Sequence, residues 1–160
     1  MATLRRTIRD RIAANTTIMS PSPGLGFLAV YDKWLRGSGS GSEPNAFDAK
    51  GAIKPAIVVW GSTANAHPSP HVPGWTKQDT LPSIYLYQYP SEDGRNKCAL
   101  AAAELDRWLS DPTWQPVIAG GARPVFQWDG ETEIDNDEQF PGNYVLVVRF
   151  RVTTARAVPV

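Results

Sequence analysis

Ser83-Ile84-Tyr85-Leu86-Tyr87-Gln88-Tyr89, followed by Pro90-Ser91-Glu92-Asp93, decides the fold, because a strand pattern gives way there to the best helix in the chain. Alternate side chains of an extended segment point to opposite faces, so Ile84, Leu86 and Gln88 share one face and Tyr85, Tyr87 and Tyr89 the other. Both faces are largely apolar or aromatic. One should therefore be covered by a helix and the other by something else, for which a partner subunit would serve. Ser91 is placed to cap the helix, with Glu92 and Asp93 in its first turn, where carboxylates favour the positive end of the helix dipole. The body, Lys97 to Leu109, is rich in the strong helix formers Ala, Glu and Leu. Cys98, Ala102, Leu105 and Leu109 form its core stripe, with Ala101 and Trp108 beside it.

Upstream, Ile53-Lys54-Pro55-Ala56-Ile57-Val58-Val59-Trp60 is a β-branched run that suits a buried strand, with Pro55 near the start, where a missing donor is tolerated. Residues 61–82 contain Pro68, Pro70, Pro73 and Pro82 and read as an excursion outside the sheet. Downstream, Asp111-Pro112 ends the helix and Arg123 to Trp128 reads as a third strand. The last strand, Tyr144 to Val152, is the longest: Leu146, Val148, Phe150 and Val152 form an apolar face expected to meet the helix, while Arg149 and Arg151 share the other face with Val145 and Val147.

A first helix spans about Thr3 to Ala14, with Leu4, Ile8, Arg11 and Ile12 on one stripe, and stops before Ser20-Pro21-Ser22-Pro23-Gly24. Leu25 to Leu35 leans to extended structure, although Phe27, Val30, Tyr31 and Trp34 also suit a helical face. Gly37 to Ser42 alternates Gly and Ser and reads as a flexible loop. The order helix, strand, strand, helix, strand, strand predicts an α+β fold, an antiparallel or mixed sheet of about four strands with the N-terminal helix and the long helix packed on it. The 160 residues are expected to form a single domain, 1–160, with loops at 37–46 and 61–82.

With 16 basic and 16 acidic side chains the net charge is zero, which removes the overall positive field that drives non-specific binding to phosphates. Nucleic acid is not expected as a primary ligand. The lone Cys98 excludes an internal disulfide and fits a reducing compartment. No segment approaches the roughly 20 apolar residues of a membrane span, and the basic start Leu4 to Arg9 lacks the apolar run of a signal peptide, so a soluble, unprocessed chain is expected. Six Trp, five Tyr and five Phe in a chain of zero net charge leave little self-repulsion to oppose association through apolar surface, which points to self-assembly.

Several chemical motifs are present without their context. Gly24-Leu25-Gly26-Phe27-Leu28-Ala29 matches a dinucleotide pattern but follows Ser-Pro-Ser-Pro instead of a strand. His67 and His71 have the spacing of zinc ligands on a helix, but Pro68, Pro70 and Pro73 make this a proline-rich loop. Asp129, Glu131, Glu133, Asp135, Asp137 and Glu138 alternate like a calcium loop, yet Ile134 stands at the turn-glycine position and Phe140 at the closing glutamate, leaving a solvated hairpin loop that can face a basic surface. Glu104 and Asp106 beside Arg107 read as ordinary helix charge. No catalytic residue, cofactor site or metal site is expected.

The order of these segments resembles the tail-terminator family of long-tailed, siphovirus-like bacteriophages and related gene-transfer and tail-like particles. The residues that carry it are the basic first helix, Val30-Tyr31-Asp32, the strand entry Pro55 to Val59, Tyr85-Leu86-Tyr87, the helix Ser91 to Leu109 and the strand Val145 to Val152. The resemblance implies one tail-terminator-like domain and a non-enzymatic structural virion protein, made in the host cytoplasm. It would form a ring, typically a hexamer, at the head-proximal end of the tail tube, where it ends tube polymerisation and joins the tail to the neck. Its implied partners are further copies of itself, the tail tube protein and a neck or head-completion protein, with DNA passing through the lumen without specific binding and no membrane. Alternatives are another head-tail connector, or a small ligand- or metal-binding module built on the His67 to His71 loop. The opposite signs of two segments predict the subunit contact: Arg5, Arg6, Arg9 and Arg11 against Asp135, Asp137 and Glu138 of a neighbour, within the acidic run Glu131 to Glu138.

Overall fold

A computed structural model describes residues 3–19, 24–35, 44–61, 64–68, 75–134 and 142–157. It is an α+β fold in which helices α1 (Leu4–Ala13), α2 (Thr16–Met19) and α3 (Glu92–Leu109) lie on one face of a seven-stranded sheet. The strands are β1 (Ala29–Tyr31), β2 (Ala56–Trp60), β3 (Ala64–Pro68), β4 (Trp75–Thr80), β5 (Ser83–Gln88), β6 (Pro124–Ile134) and β7 (Tyr144–Ala157). All pairings are antiparallel except β1 with β2.

The sheet is organised around β7. Along one side, its first half pairs with β5 and its second half with β4; along the other it pairs with β6 from Val145 to Thr154. The β4–β5 line is broken only at Leu81-Pro82, where the Phe150 amide donates to the Pro82 carbonyl at 3.3 Å. β2 and β3 are likewise two halves of one line, pairing with β5 and β4 in turn. The described residues of the segment 61–82 thus belong largely to the sheet, whereas its prolines suggested an excursion outside it. They contribute β3, an edge strand ending at Pro68, where an edge tolerates the missing donor, and β4 beside it. The additional strands β1, β3 and β4 raise the sheet from about four strands to seven.

Strand register sorts the side chains into two cores. Ile57, Leu86 and Leu146 are cross-strand neighbours on the helix face, as are Val59, Ile84 and Val148. They pack with Ile8, Ile12, Cys98, Ala102, Leu105, Leu109, Phe150 and Val152. The stripe read on α3 and the apolar face read on β7 do meet. Ser91 caps α3 by accepting from the Gly94 amide at 2.9 Å. Gly94 itself is required by the tight exit from β5: a Cβ there would lie 2.2 Å from the Tyr89 carbonyl oxygen.

On the opposite face Ala56, Val58, Tyr87, Val145 and Val147 form a second core with Leu35, Ala46 and Ile53. This face was expected to be covered by something other than a helix, for which a partner subunit would serve; the chain's own residues Ala46, Phe47 and Ile53, in the segment 44–53, pack on it. Buried Asn143 fastens that segment, accepting from the Ile53 amide at 2.8 Å and donating to the Ile53 carbonyl at 2.7 Å. Asp48 adds a second tie, its carboxylate accepting from the Lys50 and Ala52 amides and from the Tyr89 hydroxyl. Of the glycine- and serine-rich loop at 37–46, only residues 44–46 are described, as a 3-10 turn from Pro44 to Ala46.

Candidate subunit interface

The basic residues of α1 and the acidic residues of β6 lie at opposite edges of the sheet. α1 lies over β1 and β2, at one edge, and carries Arg5, Arg6 and Arg9. β6 is the other edge and exposes Asp129, Glu131 and Glu133. One cross-strand row runs Val30, Ile57, Leu86, Leu146, Glu133, so the two edges are separated by four strand spacings, roughly 19 Å.

The acidic run is not a hairpin loop at its start. Glu131 and Glu133 belong to β6, and their position depends on a β-bulge: Trp128 pairs with Phe150 and Gly130 with Arg149, leaving Asp129 as the extra residue. Gly130 has φ +120°, a conformation that side-chain-bearing residues rarely adopt. The bulge shifts the alternation by one. Phe126 and Trp128 face the helices, then Glu131 and Glu133 take that parity at the rim, while Ile134 turns to the second core. Asp135, Asp137 and Glu138 lie outside the described residues.

The four arginines have different environments. Arg6 is exposed, and Arg9 is half-buried with its guanidinium 2.6 Å from the Asp10 carboxylate. Arg5 reaches over the Trp60 ring, 4.5 Å from its centroid. Arg11 is committed within the chain: it stacks 3.6 Å from the Trp108 ring centroid and 4.8 Å from that of Trp114, and it donates to the Trp108 carbonyl at 3.0 Å. In return the Trp108 indole donates to the Arg11 carbonyl at 2.7 Å. Burial lowers the Arg11 pKa, against the opposing pull of Asp111 at 3.9 Å. Its place on the apolar stripe with Ile8 and Ile12 was the sequence signal of this inward role. Arg5, Arg6 and Arg9 are therefore the residues at the basic edge.

Sequence reasoning missed an aromatic cluster at that edge. Trp34 meets Tyr85 edge-on at 5.1 Å and Trp60 at 6.3 Å, between ring centroids, and together with Lys33 these side chains line an open concavity of about 540 Å³. The signal was available only in part: alternation along β2 puts Trp60 on the face away from Ile57 and Val59, but nothing local placed Trp34 beside it. Cys98, by contrast, is enclosed, and burial pushes its thiol up to about 12. His67 sits on β3, paired in register with Lys77, and His71 lies outside the described residues. Among the described residues, no three His, Cys, Asp or Glu side chains converge as metal ligands, and no helix is long and apolar enough to cross a membrane.

No protein-family model and no curated protein matches the chain. Among solved structures, the fold is similar to a chain in the virion of a native gene transfer agent (GTA) particle, with a TM-score of 0.63 and 12% identity over 96% of each chain. At that identity the likeness is one of fold.

Proposed function

We propose that this chain is a structural virion protein: a tail terminator that closes into a ring, a hexamer, at the head-proximal end of a phage-type tail tube, ending tube polymerisation and joining tail to neck. One observation carries this proposal, the placement of opposite charges on opposite edges of a single sheet. Two different patches that attract one another build a head-to-tail contact, which closes into a ring when the rotation permits, whereas a self-complementary patch gives a twofold dimer. The fold likeness to a chain of a GTA virion supports a role within such a particle. The partners are then further copies of the chain, the tube protein and a neck or head-completion protein, with DNA crossing the lumen unread. The protein would work without catalysis or cofactor, and a ring elsewhere in the neck is the second reading.

Negative-stain imaging of the purified protein, alone and with tube subunits, tests both. Rings that cap one end of each tube and shorten it are expected of a terminator; rings that leave tubes uncapped would move the protein elsewhere in the neck. Discrete monomers beside unaltered tubes would refute the ring. Replacing Arg5, Arg6 and Arg9 by Glu should weaken ring formation, and adding Lys at positions 131, 133, 135, 137 and 138 should partly restore it. Because an exposed ion pair contributes only about 0–1 kcal/mol, the effect should be largest at low salt.

A further inference from the structure

β1 pairs only with Ala56 to Val58, so the end of β2, at Val59 and Trp60, has no strand on its outer side among the described residues. Trp60 is 36% exposed there, and Arg5 comes from the helix layer around this open end to lie on its ring. From this geometry we infer that the concavity of Trp34, Trp60 and Tyr85, rimmed by Arg5 and Lys33, is the anchor of the subunit joint and takes the β6 edge of a second copy, carboxylates Glu131 and Glu133 foremost. The inference rests on the ring reading and names the contact within it.

Three observations select this occupant. Trp, Tyr and Arg are the side chains that dominate binding energy at interfaces, and here they converge where the sheet is uncovered. The Arg5 guanidinium over the Trp60 ring offers N–H donors in a fixed planar fork, the geometry that grips a carboxylate with two parallel hydrogen bonds. The same chain supplies those carboxylates on the opposite edge, on a strand whose outer side is unpaired among the described residues. Aromatic rings with cations also suit a stacked nucleic acid. The zero net charge and the acidic β6 favour the second copy instead.

The test uses the full chain carrying both Asp32→Cys and Thr132→Cys, beside the contact residues on each side, treated with a short bis-maleimide. Buried Cys98 should stay silent, which the parent protein checks. A covalent ladder of linked subunits is expected from the double variant, and none from either single variant or from the parent. Independently, Trp60→Ala should raise the dissociation constant for self-association at least about tenfold, while its circular dichroism and unfolding midpoint stay near the parent's. If rings form but neither the ladder nor the Trp60 effect is seen, the anchor lies elsewhere and the ring stands. If the parent forms no ring, the ring reading and this contact fall together. Quenching of tryptophan fluorescence by a short oligonucleotide, lost in Trp60→Ala and without cross-linking between copies, would overturn the inference in favour of a nucleic-acid site.

Discussion

Arg11 joins the first helix to the long one by lying over the Trp108 ring, with Trp114 also close, and the pair of hydrogen bonds it exchanges with Trp108 spans 97 positions of sequence. Its inward position was legible from the spacing of Ile8 and Ile12, but its formal charge suggested the surface, because the compensating aromatic partners are remote in sequence. Arg11→Ala should cost about 2 kcal/mol in urea unfolding, the range of a desolvated cation–π contact with its hydrogen bond, and Lys should restore little because it has no planar face. Nearby, Glu104 accepts from Arg107 and from the Asn15 amide, and these bonds, the Arg107 one foremost, hold its pKa below the ordinary 4.5. A lowered folded pKa means that the contribution is fully present above 4.5 and is lost as pH falls through the lower folded value. Thermal midpoints of parent and Glu104→Gln should therefore differ at pH 7 and converge in acid. A constant difference would place the effect in packing.

At the scale of elements, what the sequence revealed was set by whether alternation stays in phase. β5, α3 and the core half of β7 keep one period throughout, and they were read nearly to their ends. β6 was read only to Trp128, because the bulge at Asp129-Gly130 inverts the phase and makes Glu131 to Ile134 resemble a loop. β3 and β4 were missed because Pro68, a sign of irregular chain in isolation, is acceptable on an edge strand. Gly130→Val should destabilise the protein by about 1–3 kcal/mol through backbone strain, measurable by chemical denaturation. It should also disturb self-association more than a change of equal cost in the first core, since it re-aims the acidic rim. Equal disturbance by both would mean that β6 acts only through stability.

The whole molecule was legible as an α+β domain because its largest apolar surfaces, on α3 and β7, had no partner other than each other. The cover of the second face was not, since it comes from residues 44–53 held by Asn143, a long-range tie with no periodic signature. Val148 lies in the first core at 0% exposure, between the β5 and β6 pairings. Val148→Asp should abolish the cooperative unfolding transition, because an unpaired buried carboxylate costs more than such a domain can absorb. A soluble variant with native melting would contradict the two-core assignment. The position of β7 also sets an order of events. It is the last described element to leave the ribosome, yet β4 and β5 each take their second partner from it and β6 its sole described one. Until residues 144–157 emerge, the hairpin of β2 and β5 has an open edge and α3 has half a floor, so the nascent chain should remain protease-sensitive and dependent on holding factors. Closure would then be a single late step, and assembly-competent edges would appear only on finished subunits.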